Sequence, residues 1–432
     1  MSKQMKGLRV GKYRITPLGL ITLAILLLII IGVVVMVVFN PFGGMDNPFV
    51  KETPTPTIDP ASVTPSPTPR PTPSPTPEPE PKTATIRSLG EIAMQLNLLK
   101  SVANGNDFDF SEMFSEVSDI MGGADFTVAD VEGTLGGVAS VKGNLSEMIT
   151  PPSLIGTLQE CGVDMLTLAN DHALDGGADE LKATMQNVKD AGLDYIGAAA
   201  SAEEKKAPVI KDINGINVAF LAYTEDLGGK EKEASKSLLN AVNLVTKSNA
   251  SADVKAAKDA GADVIVAYVS WGRMLKRDIT DNQKTIMKVL VKAGVDVIIG
   301  YGPHCVQPAR WVDGPKDADG NVHRTLILCS AGNFLSDQRD QYFDSGIVFD
   351  FTIQETSPGA GKYTITAPTY IPTYVWRAQG EGENYNYHTL AVGRWREDQP
   401  ESMAYTDVTR MRAVWSEIQN IMGTDVATIA AE

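Results

Sequence analysis

The chain has 432 residues, 43% of them hydrophobic and 21% charged, and carries a formal net charge of −15 at pH 7. That acidity argues against a nucleic-acid partner and against an unassisted grip on polyanions. Three cysteines, Cys161, Cys305 and Cys329, are too few for a disulfide framework. Cys305 and Cys329 border adjacent strand-like runs, where either a bridge or two small buried residues would fit.

The N-terminal fifth does not read as globular. Leu18 to Phe39 is apolar and free of charge, and as a helix it would reach about 33 Å, enough to span a bilayer core. No small-x-small cleavage site follows it, so a retained signal anchor is expected rather than a cleaved signal peptide. Lys3, Lys6, Arg9, Lys12 and Arg14 precede the span. The positive-inside rule then leaves residues 1–17 in the cytoplasm and everything after Asn40 outside, a single pass through the cell membrane. Residues 40–83 form a Pro/Thr/Ser-rich linker. Thr53 to Lys82 alone holds 12 of the 25 prolines, so it cannot bury a core and would extend roughly 90 Å as polyproline II. On the outer side of a membrane it acts as a spacer and not as an SH3-type ligand.

A folded domain is expected over residues 84–400, with a C-terminal amphipathic helix at 401–432 packing on it. Its grammar is a helix-like segment, then Gly-x-Asp, then an apolar run. The pattern begins at Gly123, Gly162, Gly192, Gly261 and Gly294. Glycine suits the left-handed residue that stops a helix, and aspartate suits the short turn into a strand. Helix–turn–strand repetition of this kind predicts a layered α/β domain. The elements read as a strand at Thr85 to Leu89 ending in Gly90-Glu91, helices at Ile92 to Lys100 and Phe108 to Met121, and a strand at Phe126 to Ala129. Strands follow at Met165 to Ala169 and Tyr195 to Ala198. A hairpin is predicted from Val209-Ile213 and Val218-Ala222 across Asn214-Gly215. Glu225 to Ser251 reads as a polar, helical surface insertion. Val264 to Val269, Val297 to Ile299 and Leu326 to Cys329 read as further buried strands.

The apolar runs end in polar loops, and α/β folds place ligands beyond the carboxyl ends of such strands. Asp130 and Glu132, at i and i+2, would point the same way and suit a hard cation, although one of them would equally serve to cap a turn at Gly133. Asn170, Asp171 and His172 follow the Met165 run, and His304 follows the Val297 run. Of the four histidines, His323 and His388 sit in polar turns and read as solvated. His172 and His304 directly follow apolar strands, where an imidazole meets a metal or substrate.

The order of these motifs resembles that of the CapA family, the poly-γ-glutamate capsule biosynthesis proteins. The family's Leu-Ala-Asn-Asn-His-Ala-Leu-Asp stands here as Leu168 to Asp175. Its Gly-His-His-Pro-His-x-x-Gln stands as Gly300 to Gln307, and its Ser-Leu-Gly-Asn-Phe as Ser330 to Phe334. The resemblance covers roughly Thr85 to Val392. It implies a metallophosphoesterase-like two-sheet sandwich flanked by helices, with a metal held by Glu91, Asp130, Glu132, Asn170, His172 and His304. His172 and His304 would also be the catalytic pair, with Asp171, Trp271, Gln307 and Asn333 around them. The departures matter as well. Gly-Asp has become Gly90-Glu91, and Asn-Leu-Glu has become Asp130-Val131-Glu132. The histidine before Trp-Gly is Ser270, and the first of the paired histidines is Gly302. Such losses leave one divalent ion or none, Mn or Mg before Zn for a mostly oxygen set. Two functions follow from the resemblance. One is a membrane-anchored protein with a degenerate site, escorting a cell-surface polymer beside its biosynthetic membrane complex. The other is an active metal-dependent phosphoesterase or transferase acting on the exported polymer or its carrier.

Overall fold

The computed structural model describes residues 9–10, 13–14 and 80–429, apart from 106, 138–140, 145, 233, 317–319, 381–384, 398–402 and 425. The chain divides into two units, Met1–Thr76 and Pro77–Glu432. In the first, the described residues form one short antiparallel pair, Arg9–Val10 with Tyr13–Arg14. The expected anchor at 18–39 and nearly all of the linker lie outside the described residues. Among the described residues no helix is long and apolar enough to cross a membrane.

The second unit is built on two sheets. β1 (Thr83–Ile92), β2 (Phe126–Val131), β3 (Met165–Thr167) and β4 (Asp194–Ile196) run parallel, ordered β4-β3-β2-β1. The chain then crosses to a six-stranded sheet. Its hairpin, β5 (Val209–Ile213) and β6 (Ile216–Thr224), turns at Asn214-Gly215 as the sequence predicts, with Asn214 at φ 54° and Gly215 at φ 78°. Parallel to β6 lie β7 (Val264–Ser270), β8 (Val297–Tyr301) and β10 (Val322–Ala331), and β9 (Val306–Lys316), which precedes β10 in the chain, pairs antiparallel on its outer edge. Their order is β5-β6-β7-β8-β10-β9. The chain returns to the first sheet with β11 (Asn333–Leu335), β12 (Ser345–Glu355), β13 (Tyr363–Gln379), β14 (Tyr385–Ala391) and β15 (Ala427–Thr428). Among the described residues five helices of eight or more residues accompany the sheets. They are α1 (Ser153–Glu160), α2 (Gly177–Asp190), α3 (Lys247–Asp259), α4 (Asp281–Ala293) and α5 (Tyr405–Met422).

Side-chain alternation explains why the sheets stack. Along β7, Val264, Val266 and Tyr268 join one continuous core with Ile86, Val128 and Leu166 of the first sheet. The intervening Ile265, Ala267 and Val269 turn to the other side and pack against Ala250, Val254 and Ala257 of α3 and Ile286 and Leu290 of α4. Strands buried on both faces read as unbroken apolar runs for this reason. Phe126 stacks on Phe220 with centroids 5.0 Å apart, and Ser88 Oγ lies 3.1 Å from Tyr268 Oη, so the two sheets also meet through specific pairs.

The Gly-x-Asp pattern has a use beyond the turn. Asp125, Asp164, Asp263 and Asp296 each accept a hydrogen bond from an amide near the start of the neighbouring strand, respectively Thr85, Thr127, Asn217 and Ile265, at 2.7 to 2.8 Å. Each aspartate therefore registers one strand on the next at a helix-to-strand turn. Net, such a bond stabilises by about 1 kcal/mol, more when the acceptor is charged. Gly294 ends α4 in the left-handed region at φ 93°.

Several expectations are corrected. β1 does not stop at Leu89. It runs to Ile92 because Glu91 and Ile92 pair with Asp130 and Val131, and the next helix starts only at Leu96. Phe108 to Met121 is not one helix but two single turns, Ser111–Phe114 and Ser118–Met121, because Val117 leaves the helical region at φ −134°, ψ 3°. Glu225 to Ser251 is not only a surface insertion. Its last residues open α3, capped by Thr246, and Ala250 is fully buried. The three cysteines are unpaired, with Cys305 and Cys329 buried.

Candidate metal centre

The site lies where the parallel strands of both sheets end. Glu91 comes from β1, Asp130 and Glu132 from the end of β2, and His304 from the turn after β8. Glu91, Glu132 and His304 each offer a ligand atom within 4.8 Å of the others, and all three are buried. His304 Nδ1 lies 3.2 Å from Glu91 Oε2, and its Nε2 lies 3.4 Å from Glu132 Oε1. Asp130 stands in register with Glu91 on the adjacent strand, and its Oδ1 accepts from the Thr167 hydroxyl.

Backbone geometry, not side-chain packing alone, aims these groups. His304 sits at φ 58°, in the left-handed region that few residues other than glycine adopt, histidine among them more readily than most. Gly90 lies so close to β11 that a Cβ there would fall 2.5 Å from the carbonyl oxygen of Gly332. That approach lets β1 carry Glu91 beneath Asn333, its partner in register.

Hydrogen bonds assign the His304 tautomer. Asn333 Nδ2 donates to Gln338 Oε1 and to the Phe343 carbonyl, both at 2.8 Å, which fixes Asn333 Oδ1 as an acceptor. His304 Nδ1 lies 3.0 Å from that oxygen and must therefore carry the hydrogen. Nε2 faces Glu132 Oε1 at 3.4 Å, and a neutral ring would offer its lone pair there, as a histidine ligand oriented by an outer partner does.

The carboxylates are short of positive charge. Both oxygens of Glu91, Asp130 Oδ2 and Glu132 Oε2 are buried and make no hydrogen bond. Burial raises Glu91 above the usual range against the pull of His304, pushes Asp130 up to about 8, and raises Glu132 well above the usual range with Glu91 and Asp171 adding to it. Buried anions must be protonated, paired or metal-bound. Glu91, Glu132 and His304, with Asp130 beside them and several oxygens unsatisfied, are compatible with a metal site.

The remaining predicted residues are placed differently. Asn170 ties loops together: its Oδ1 accepts from the His172 and Gly133 amides at 3.2 and 3.4 Å, and its Nδ2 donates to the Val131 carbonyl at 3.0 Å. His172 Nδ1 lies 2.7 Å from Asp175 Oδ2. Burial pulls the His172 pKa down, but the Asp175 bond and the charges of Glu132, Asp171 and Asp175 outweigh it and push it up to about 9. Asp171 is half-exposed, its Oδ2 3.9 Å from His172 Nε2. Trp271 Nε1 donates to the Cys329 carbonyl at 2.8 Å. Gln307 accepts from Gln283 Nε2 at 2.8 Å and donates to the Lys276 carbonyl at 3.0 Å. The structure thus gathers Glu91, Glu132 and His304, places Asp130 on the strand beside Glu91, sets Asn333 behind His304, and leaves Asn170, Trp271 and Gln307 bracing the loops.

Residues that the motifs did not signal complete the site. Thr167 restrains Asp130, and Lys230 reaches Asp175 from the segment read as an insertion. Gly302, in place of a family histidine, sits at φ 104°, and a Cβ there would lie 2.5 Å from the Trp271 carbonyl oxygen. A side chain is excluded at that position as the chain stands. The Tyr301 hydroxyl instead donates to the Leu89 carbonyl at 3.1 Å beneath the site.

A family model described as bacterial capsule synthesis protein PGA_cap matches residues 85–338. The chain belongs to that family. Its relatives include the capsule biosynthesis protein CapA of Bacillus anthracis, 33% identical over 189 residues, covering 43% of each chain. The PGA biosynthesis protein CapA of Bacillus subtilis (strain 168) is 26% identical over 213 residues, covering 49% of this chain and 52% of the relative. The chain thus spans about half the length of the curated relatives it matches. Solved structures similar to it include the calcineurin-like phosphoesterase YfkN from Bacillus subtilis (12% identity, 79% of this chain and 98% of that one, TM-score 0.41). The NAD nucleotidase NadN of Haemophilus influenzae is similar at 14% identity, with 80% of this chain, 69% of that one and TM-score 0.41. At that level of superposition neither carries an argument about chemistry.

Proposed function

We propose that the chain is a membrane-anchored, extracytoplasmic capsule-family protein that works in synthesis or export of a cell-surface polymer of the poly-γ-glutamate type. Its metal site is reduced to a single divalent cation, and its partners are the polymer and the membrane complex that makes it. The family membership and the names of the relatives support the polymer. The anchor and orientation rest on the apolar run at Leu18 to Phe39 and the basic residues before it. The observation that carries the degenerate site is the buried Glu91–Glu132–His304 cluster beside Gly302, where no histidine fits, and Ser270, which replaces another. Glu91, Glu132 and His304 would hold the ion, with Asp130 beside them. A bound divalent ion supplies Lewis-acid polarisation of a substrate oxygen. Asn333 fixes the His304 ring, and Thr167 fixes Asp130. The test is complementation of a deletion strain. Restored surface polymer with wild type and loss with Glu132→Ala, at equal protein level, supports the reading. Full restoration by Glu132→Ala contradicts it.

A second reading, a phosphoesterase or transferase acting on the polymer or its carrier, is favoured by one observation. His172, held by Asp175 and pushed up to about 9, carries a proton beside Glu132 at neutral pH, as a general acid would. Rapid turnover of small chromogenic phosphate esters, abolished by His304→Ala, would establish that reading in place of the first.

A further inference from the structure

Away from the carboxylate cluster, α4 and the edge strand β9 enclose a groove of about 430 Å³. Its walls have an unusual composition for so acidic a chain. Lys284, Lys288 and Lys292 recur every fourth residue along α4, so they form one exposed stripe with about 6 Å between successive residues. Arg310 projects from β9 into the same groove, and Met287, Val291 and Val312 form an apolar floor. Among the described lining residues four cations face one carboxylate, Asp313, which lies 3.5 Å from Arg324 Nε. Lys284 lies 2.9 Å from Asp281. Lys288 and Lys292 have no ion-pair partner among the described residues.

Arg310 is the second observation. Among the described residues its Nη2 approaches two sulfurs, Met287 Sδ at 3.9 Å and Cys329 Sγ at 3.7 Å, and its buried Nε makes no hydrogen bond. A guanidinium recognises planar carboxylates through a fork of N–H donors, and one left among sulfur atoms at the base of a basic stripe is a site short of an anion.

We propose that this groove binds an extended polymer carrying repeated carboxylates, which runs along the α4 stripe with one carboxylate held by Arg310. Charge complementarity selects the occupant: a row of cations at regular spacing matches a row of anions. The net charge of the whole chain repels polyanions elsewhere and so confines binding to the groove. The lysine stems lie over apolar floor and keep their ammonium groups in water, which suits a flexible acidic strand. A membrane surface fits less well, because Met287 and Val291 are buried and none of the large exposed hydrophobic residues lines the groove. The groove deepens the proposed function by supplying a place for the acidic polymer, and it does not depend on metal at Glu91, Glu132 and His304.

The test uses the full chain in mild detergent, with a fluorescein-labelled oligoglutamate read by anisotropy and phosphatidylglycerol vesicles read by co-sedimentation. Lys288→Glu combined with Lys292→Glu changes only exposed side chains, and should weaken oligoglutamate binding by about tenfold or more. Arg310→Gln should weaken it independently, and added salt should weaken wild-type binding more than that of the double variant. His304→Ala should leave it unchanged, so failure of the groove and failure of the metal site are read separately. Equal oligoglutamate affinity in wild type and double variant overturns the proposal. So does a double variant that loses vesicle binding while oligoglutamate fails to bind wild type.

Discussion

His304 Nδ1 stands 3.2 Å from Glu91 Oε2 although the two residues belong to different sheets. Glu91 is carried by the central strand of the nine-stranded sheet, between β2 and β12. His304 follows the fourth strand of the six-stranded one. Their approach depends on the sheets stacking with the carboxyl ends of the parallel strands at one edge, and no local sequence feature could bring them together.

Asp175 anchors the loop that carries His172. Its fully buried carboxylate accepts from the Met148 amide at 2.5 Å, contacts His172 Nδ1 at 2.7 Å and pairs with Lys230. Asp175→Ala would leave the buried Met148 amide and His172 ring without this acceptor, and should destabilise the fold by about 3 kcal/mol. Hydrogen exchange checks the cause: the Met148 amide should exchange much faster in the variant, while amides in β7 and β8 keep their protection.

Asp253 gives a pH-dependent prediction away from the carboxylate cluster. Burial raises its pKa, outweighing the hydrogen bond from Tyr223 at 2.9 Å and the charge of Lys205. A carboxyl group with a raised folded pKa binds protons more tightly in the folded state. Its contribution to stability is then complete below the unfolded pKa of about 4 and is lost as pH rises through the folded value. Asp253→Asn lacks that loss. The melting temperature of the variant relative to wild type should therefore rise between about pH 4 and pH 7. A difference that stays flat or falls contradicts the assignment.

The sequence made some of this legible and hid the rest for physical reasons. The Gly-x-Asp pattern announced the parallel strands because glycine and aspartate each have a local duty at those turns. Asn214-Gly215 announced its hairpin for the same reason. The α3 contribution to the core was hidden, since Ala250 and Ala257 bury little area among lysines and aspartates and leave no hydropathy signal. Glu91, Glu132 and His304 could be named because each ends or follows an apolar run. The duties of Asn170, Trp271 and Gln307 could not, because hydrogen bonds to backbone carbonyls and amides leave no trace in residue type. Lys230 lies in a different segment from Asp175, and only the folded chain reveals their pairing.

The proposed topology rests on the apolar run and the proline tract. Protease added to intact protoplasts should cut within Thr53 to Lys82 and release a fragment close to Ala84–Glu432, because a proline-rich sequence that cannot bury a core is open to cleavage while the sandwich is not. A domain that stays protected until the protoplasts are lysed would reverse the orientation.

The most direct test of the account is the metal content of the purified full chain after growth with Mn and Mg supplied. About one equivalent of a divalent ion is expected, lost in both Glu132→Ala and His304→Ala, and bound some tenfold to a hundredfold more weakly in Asn333→Ala, where the His304 ring is no longer held. Two equivalents in wild type, or one equivalent retained in Glu132→Ala and His304→Ala, would contradict a single ion held by Glu91, Glu132 and His304.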